Sequence, residues 1–184
     1  VEDLFAAGKA SPEKHTYGTS GIGGSGHLMM IEIEQKVGSK FTHIPYKGGA
    51  EWMQALIAGQ IDFLADASQW GPFVDDGRCR ILAMVTETRL PKYPNVPTLR
   101  ERGIDAIGQS PYGLVGPKGM DPAVVKTLHD AFRSAMNEPA HLAELERYDQ
   151  DLAYLGPDDY GRAMRDAYAA EKRTVERLGL ARGG

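Results

Sequence analysis

The first residues whose spacing could do chemistry lie in residues 17–28, YGTSGIGGSGHL. Gly21, Gly23 and Gly26 stand at the G-x-G-x-x-G spacing, between a stretch typical of a strand and one typical of a helix. Glycines let a backbone approach a ligand closely, and a helix N-terminus carries a partial positive charge. This chemistry suits any phosphate or carboxylate, so the loop predicts an anion-binding helix start without naming the anion.

A dinucleotide site needs one further residue, an acid about 20 residues on, which ends the second strand and binds the ribose hydroxyl. The second predicted strand, FTHIPYKG, ends in His43, Tyr46 and Lys47, without Asp or Glu. The glycine spacing therefore matches a dinucleotide loop, but its context does not. A dinucleotide-dependent enzyme that uses Gly21, Gly23 and Gly26 stays open as the alternative interpretation.

Two further strand ends offer polar groups. In residues 44–51, IPYKGGAE, Tyr46 and Lys47 precede a helix that we expect to begin near Ala50. For Lys47 alone, a solvated surface lysine is the simpler explanation. Asp66 ends the third predicted strand, where it could cap the next helix or accept hydrogen bonds from a ligand. Two glycine-bearing loops at the ends of neighbouring strands favour a shared site more than either loop alone.

The sequence offers no recognisable catalytic set. Its five histidines show no H-E-x-x-H spacing, no G-x-S-x-G motif occurs, and Cys79 is the single cysteine. We therefore predict no catalytic residues, no metal site and no cofactor. His27 is interpreted as a packing or capping residue at the start of a helix.

Composition and charge exclude some classes of partner. The chain has 184 residues, 42% of them hydrophobic and 25% charged, which is typical of a globular protein. Its net charge of -4 argues against nucleic-acid binding, so we predict no nucleic-acid partner. An anionic ligand would have to be held by local dipoles.

Residues 1–14 look like the end of an amphipathic helix without a cap, which suggests that the chain begins inside a longer protein.

Strand-like and helix-like segments alternate along the chain and must position these loops. Runs of β-branched and aromatic residues predict strands at 15–20, 41–46, 61–66, 80–86 and 111–116. Helical spacing and C-cap glycines predict helices at 26–38, 49–59 and 68–77, with a short one after Pro97. Asp121 and Pro122 predict the start of the first of three C-terminal helices, the last with one buried face. The alternation predicts an α/β fold with a mainly parallel sheet.

Five segments, in order along nearly the whole chain, carry a resemblance to a known family. They are YGTSGIGGSGHL, HIPYKGGA, ALIAGQIDFLAD, GRCRILAMVTETRLPKYPNVPTLRERGI and YGLVGPKGMDPAVVKTLHDAF. Together they resemble the tripartite tricarboxylate transporter substrate-binding proteins, the TctC or Bug family of periplasmic solute receptors. The combination of Y-G-[ST]-S-G, P-Y-K-G and NVPTLRERG is specific, although each piece alone is weak.

The resemblance implies a domain organisation in two lobes. It implies a partial helix from upstream at 1–14 and a second, ligand-binding lobe of the type II periplasmic-binding-protein kind at 15–108. Residues 109–184 would then be a return segment and C-terminal helices that belong to an incomplete first lobe. An isolated lobe would expose its former interface, so we expect association between copies of this truncated chain.

The resemblance also implies a function and a set of ligand contacts. Members of this family are not enzymes; they bind a small organic carboxylate in the periplasm and deliver it to the membrane components of a transporter. Carried over residue by residue, the implied ligand-binding positions are Thr19, Ser20, Gly21, Gly23, Tyr46, Lys47, Gly48, Ala50 and Asp66.

Overall fold

A computed structural model describes residues 1–65, 70–108, 112–148, 150, 152–177 and 179. The chain forms two compact units, Val1–Ser110 and Pro111–Gly184. Asp66 and residue 111, which the sequence places at a strand end and a strand start, lie outside the described residues.

The first unit is built on a three-stranded parallel sheet. Its strands are β1 (Thr16–Thr19), β2 (Thr42–Pro45) and β3 (Phe63–Leu64), in the spatial order β2-β1-β3. Tyr17 in β1 pairs with His43 on one side and with Phe63 on the other. A parallel pair needs a crossover connection, and helices provide it here, as the sequence predicts.

Four α-helices accompany this sheet: α1 (Glu2–Ala10), α2 (Ser25–Val37), α3 (Gly49–Ile57) and α4 (Gly71–Asp75). A short 3-10 helix, Arg100–Arg102, confirms the predicted turn of helix after Pro97. The glycines predicted to end α2, α3 and α4 all adopt positive φ: 70° at Gly38, 68° at Gly59 and 76° at Gly77. A left-handed residue satisfies the last carbonyls of a helix, so these three C-terminal signals are confirmed.

One hydrophobic cluster joins the sheet to the helices of the first unit. Its buried residues are Phe5, Tyr17, Met30, Ile33, Phe41, Phe63, Ala65, Leu99 and Ala106. They come from α1, α2, the three strands or their flanks, and the segment near the 3-10 helix. The cluster therefore fixes the ends of β1 and β3 against α2, where the glycine-rich residues begin.

Two of the predicted strands are wrong, and β1, β2 and β3 are each shorter than predicted. In residues 80–86 only Met84 pairs, through an isolated parallel bridge to Thr98. Residues 112–116 form no strand; Tyr112 is 81% exposed and Val115 is 86% exposed. Strand propensity reflects packing against neighbours more than an intrinsic backbone preference. Without a partner strand, these β-branched and aromatic residues do not form a ladder.

The described residues of the second unit form the helices α5 (Pro122–Met136), α6 (Pro139–Arg147) and α7 (Pro157–Arg177). Asp121 caps α5 by accepting a 2.7 Å hydrogen bond from the N–H of Ala123, which confirms its predicted role. The predicted buried face of α7 is wrong: none of its described residues is buried. Phe132 in α5 is likewise 47% exposed. Among the described helices, none has the length and apolar character of a membrane span.

Candidate ligand-binding site

The strand order places a topological switch point between β1 and β3. The chain leaves β1 through α2 to reach β2 on one side, and it returns through α3 to β3 on the other side. In open parallel α/β sheets, ligands bind outside the carboxyl ends of the strands at such a point. The glycine loop, residues 20–24, connects β1 to α2 there, beside the end of β3 at Ala65.

Two glycines shape the glycine loop. Gly21 has φ 138° and Gly23 has φ 78°, conformations that residues with a side chain rarely adopt. A Cβ atom on either residue would meet nothing within 4 Å, so one side of the loop is open. The glycines are therefore required by the backbone conformation, and they leave room for a ligand.

The N-terminus of α2 is suited to an anion. Gly24 is its N-cap, and in this described segment no side chain caps the helix and its first turn holds no acidic residue. The first N–H groups of a helix have no partner within the helix, and the dipole favours negative charge beside them. The sequence prediction that a helix begins near Ser25 is confirmed.

Gly26, the third glycine of the G-x-G-x-x-G spacing, is required for a different reason from Gly21 and Gly23. A Cβ atom at this position would overlap the carbonyl oxygen of Ala65, at the end of β3. Glycine here lets the start of α2 approach the sheet. Helix-to-strand packing therefore explains this glycine without a ligand.

Thr19 lies beneath the glycine loop and braces it. Its side chain is 1% exposed, and its hydroxyl lies 3.1 Å from the carbonyl oxygen of Gly21 and accepts from the N–H of Gly21 at 3.3 Å. The Nε2 atom of His43 in β2 lies 2.7 Å from the same hydroxyl. The hydroxyl has one proton, so it donates either to the carbonyl of Gly21 or to Nε2 of His43, according to the tautomer of His43.

His27 holds the other end of the loop. The N–H of Gly23 donates to Nδ1 of His27 at 3.0 Å, so the predicted capping role of His27 has a specific form. The ring of His27 stacks on the ring of His43, with centroids 4.0 Å apart and planes at 16°. Burial lowers the pKa of His27, and burial together with the charge of His27 lowers the pKa of His43 to about 4.

Sequence reasoning missed the partnership of these two histidines. His43 lies in β2, and only the parallel register that sets it opposite Tyr17 brings it to Thr19 and His27. Nothing in the local spacing of the two residues indicates a contact across 16 positions of sequence. The contact between His27 and His43 could have been predicted only from a correct pairing of β1 with β2.

The second loop, residues 46–48, lies next to the first. The N–H of Tyr46 donates to the carbonyl of Thr19 at 3.0 Å, which joins the ends of β1 and β2. Gly48 is the N-cap of α3 in an extended conformation, and Lys47 is exposed. The helix begins at Gly49, close to the predicted Ala50.

Glu51 is a site residue that sequence reasoning missed. Its carboxylate accepts a 3.2 Å hydrogen bond from the N–H of Lys47 and occupies the first turn of α3. In a capping box, a Glu three residues after the N-cap accepts a hydrogen bond from the backbone at the helix start. The spacing of Gly48 and Glu51 is therefore the sequence signal that could have identified Glu51. The two helix starts therefore differ in charge: α3 carries an acid of its own, and α2 does not.

Seven of the nine predicted ligand positions lie in the two loops or at the helix starts, and Thr19 ends β1; Asp66 lies outside the described residues. Ser20 and Ala50 are exposed, whereas Thr19 points inward. Tyr46 and Ala50 also border a groove of about 610 Å³ that runs along α3. The other residues of this groove are Glu51, Gln54, Ala55, Ala58 and Gln60.

The first unit is a parallel α/β unit with an open glycine loop and an uncapped helix start at its switch point, which is where doubly wound α/β folds bind ligands. The model of one family, described as the tripartite tricarboxylate transporter family receptor (TctC), matches residues 1–180. The chain belongs to this family. It is a family of substrate-binding receptors rather than enzymes, which removes the support for a dinucleotide-dependent enzyme.

Curated relatives and solved structures agree with this assignment. The chain is 42% identical over 182 residues to the UPF0065 protein in the gbd 5' region of Cupriavidus necator, covering 99% of this chain and 56% of the relative. A crystal structure of a TctC solute-binding protein from Polaromonas is 30% identical, with a TM-score of 0.73, covering 96% of this chain and 61% of that one. The chain thus spans little more than half the length of the proteins it matches.

Two further structures share the fold and contain ligands. One is an R. palustris protein with adipate, at 22% identity and a TM-score of 0.77, covering 97% of this chain and 60% of that one. The other is MatC from Rhodopseudomonas palustris with bound malate, at 19% identity and a TM-score of 0.68, covering 96% of this chain and 60% of that one. Both ligands are small dicarboxylic acids.

Proposed function

We propose that this chain is part of a periplasmic solute receptor that binds a small organic carboxylate and delivers it to the membrane components of a tripartite tricarboxylate transporter. The observation that carries the proposal is the start of α2, where the open glycine loop meets a helix N-terminus without an acid in its first turn. Family membership and the two dicarboxylate-bound structures of the same fold support it.

In this proposal the carboxylate oxygens accept hydrogen bonds from backbone N–H groups at the start of α2 and from the exposed hydroxyl of Ser20. Thr19 contributes from below, by holding Gly21 in place. The second loop adds Lys47 and the N-terminus of α3. Oriented backbone amides concentrate positive potential at one point, so an anion binds there although the chain carries a net charge of -4.

The proposal extends to lobes and partners. Residues 15–108 act as the second, ligand-binding lobe, and residues 109–184 belong to the first lobe. Association between copies of the 184-residue chain stays a prediction, and sedimentation equilibrium over a range of concentrations tests it.

A charge placed at the start of α2 tests carboxylate capture. Ser25 is exposed, and Ser25→Glu puts a carboxylate where the ligand's would lie. An acid in the first turn favours the helix, so the variant keeps its stability while affinity falls about tenfold or more, equivalent to about 1.4 kcal/mol. Ser25→Gln is the neutral control, and Ser134→Glu in α5 adds the same charge to the second unit.

Binding is measured by calorimetry with malate, adipate and NAD, and by the amide NMR shifts of Gly21 and Gly23 where affinity is weak. We expect malate or adipate to bind with a Kd of about 1 mM or tighter, and NAD not to bind. Equal affinity of Ser25→Glu and Ser25→Gln for the acid would refute capture at this helix start. Saturable binding of NAD without a response to either acid would refute the proposed function as a whole.

A further inference from the structure

We propose that His27 is a positioning residue for ligand binding: its ring holds the glycine loop through Gly23, and gaining a proton releases that loop. The inference rests on the proposed function for its consequence, since the glycine loop is the proposed place of capture. Its structural basis, the contact between a loop amide and a ring nitrogen, is independent of any ligand.

The contact fixes the protonation state of His27. A backbone N–H can only donate, so Nδ1 of His27, 3.0 Å from the N–H of Gly23, accepts and carries no proton. The neutral ring therefore has its proton on Nε2. Protonation turns Nδ1 into a second donor that faces the donor of Gly23, and the hydrogen bond is lost.

Burial and the positive end of α2 disfavour a positive charge on the ring of His27, which lies in the first turn of that helix. The titratable group that faces this ring from β2 is His43, stacked with its centroid 4.0 Å away. In β1, Tyr17 lies against His43, with ring centroids 5.0 Å apart, and burial keeps its hydroxyl neutral by raising its pKa. At the end of β3, the uncharged carbonyl of Ala65 lies against Gly26, and Asp66 is outside the described residues.

The two histidines contact the loop region differently. Nε2 of His43 lies 2.7 Å from the hydroxyl of Thr19, and the tautomer of His43 sets which of the two donates. Nδ1 of His27 accepts from the amide of Gly23 itself, at the position where a proton would be added. The amide of Gly23 therefore reports the titration of His27.

The folded chain lowers the pKa of His27, so the direction of the pH effect follows. The loop contact is fully present above the ordinary histidine value of 6.5 and is lost as the pH falls through the lower value of the folded protein. Ligand affinity should be flat above neutral pH and should decrease on acidification.

NMR on the ligand-free 184-residue chain gives the first test. Two-bond ¹H–¹⁵N spectra report which ring nitrogen of His27 carries the proton, and we expect Nε2 at neutral pH. The amide signal of Gly23 should titrate with the same midpoint as His27, below 6.5. A proton on Nδ1 at neutral pH, or a Gly23 amide that ignores the titration of His27, overturns the proposal.

Two variants of His27 distinguish the effect of its hydrogen-bond acceptor, Nδ1, from the effect of its stacked ring. In His27→Asn the side-chain oxygen replaces Nδ1 as acceptor and does not titrate, so the Gly23 amide signal becomes independent of pH. In His27→Phe the stacked ring is kept and the acceptor is lost, so affinity for malate or adipate at neutral pH falls about fivefold to twentyfold, as expected for a donor left without a partner. His141→Asn, at an exposed position of α6, is the control.

The ligand measurement compares affinities at pH about 7.5 and at a pH about one unit below the midpoint that NMR gives for His27. Malate and adipate also titrate in this range. Dividing the Kd of the wild type by that of His27→Asn at each pH cancels this effect of the ligand's own protonation. We expect this ratio to rise fivefold or more on acidification, and an unchanged ratio overturns the proposal. If neither acid binds any variant, the proposed function fails, and the NMR titration of Gly23 still decides the role of His27.

Discussion

Replacing Gly18 with alanine should destabilise the first unit, although it removes a flexible residue from a strand. Gly18 lies in β1, directly before the residues that brace the glycine loop. A Cβ atom here would lie 2.7 Å from Cδ1 of Ile61, 3.0 Å from Cδ2 of Leu64 and 3.2 Å from Cε2 of Tyr46. The substitution therefore pushes on three side chains at once, one of them in the second loop.

The size of the effect follows from these distances. Carbon atoms in contact lie about 3.5 Å apart or more, so the three neighbours must move by about 0.8, 0.5 and 0.3 Å. Overpacking of this kind costs about 1–3 kcal/mol, and replacing glycine in a strand returns about 0.5–1 kcal/mol. The middles of these two ranges differ by about 1 kcal/mol, so we expect the free energy of unfolding to fall by about that amount.

Urea denaturation followed by tryptophan fluorescence measures this loss. Both tryptophans lie in the first unit, and Trp52 is 1% exposed, so the signal reports that unit. Gly48→Ala is the matched control, because a Cβ there meets nothing within 4 Å and the backbone is extended; its N-cap change should cost less than about 1 kcal/mol. A Gly18→Ala protein as stable as the wild type, or no less stable than Gly48→Ala, would refute the argument.

Three other substitutions have effects with a defined sign. Asp121→Ala removes the cap of α5 and should cost about 1 kcal/mol, measured by circular dichroism during denaturation. Burial raises the pKa of Glu34 above 4.5, so its contribution to stability is lost as the pH rises from there. Urea denaturation between pH about 4.5 and about 7 should therefore show the wild type losing stability relative to Glu34→Gln, whose amide oxygen still accepts from Phe41. Glu51→Gln removes the acid at the start of α3 and should raise affinity for malate or adipate about twofold to fivefold in calorimetry.

The helix boundaries could be predicted from the sequence because their signals are local. Gly38 ends α2 through its own positive φ, and Asp121 starts α5 through a bond to a residue two positions away. The strand-to-glycine-to-helix order of residues 17–28 likewise places the start of α2 at the predicted residue. Each of these features depends on the conformation of a few neighbours in sequence.

The strands and the interior of the candidate site could not be predicted in the same way. The segment at 80–86 has the composition of a strand, but only Met84 finds a partner, and pairing is a property of the whole sheet. The contact between His27 and His43 depends on the same long-range register. Gly26 matched a ligand motif in spacing, yet its closeness to Ala65 shows a packing constraint that only the folded sheet creates.

Under the proposed function, the two helix starts explain how a net-acidic chain can bind an acid. They also explain why the glycine loop at α2 should contribute more to ligand affinity than the second loop at α3. At α3, the carboxylate of Glu51 already accepts from the backbone at the helix entrance, so the dipole there is partly neutralised by the protein itself. At α2, the corresponding neighbour is His27, which accepts a loop amide without adding negative charge when it is neutral. The loop is therefore held in place while the positive end of the helix is left for a ligand. Under the proposed function such a site needs no strongly basic surface, and under the proposal for His27 its ligand affinity changes with the protonation state of that ring.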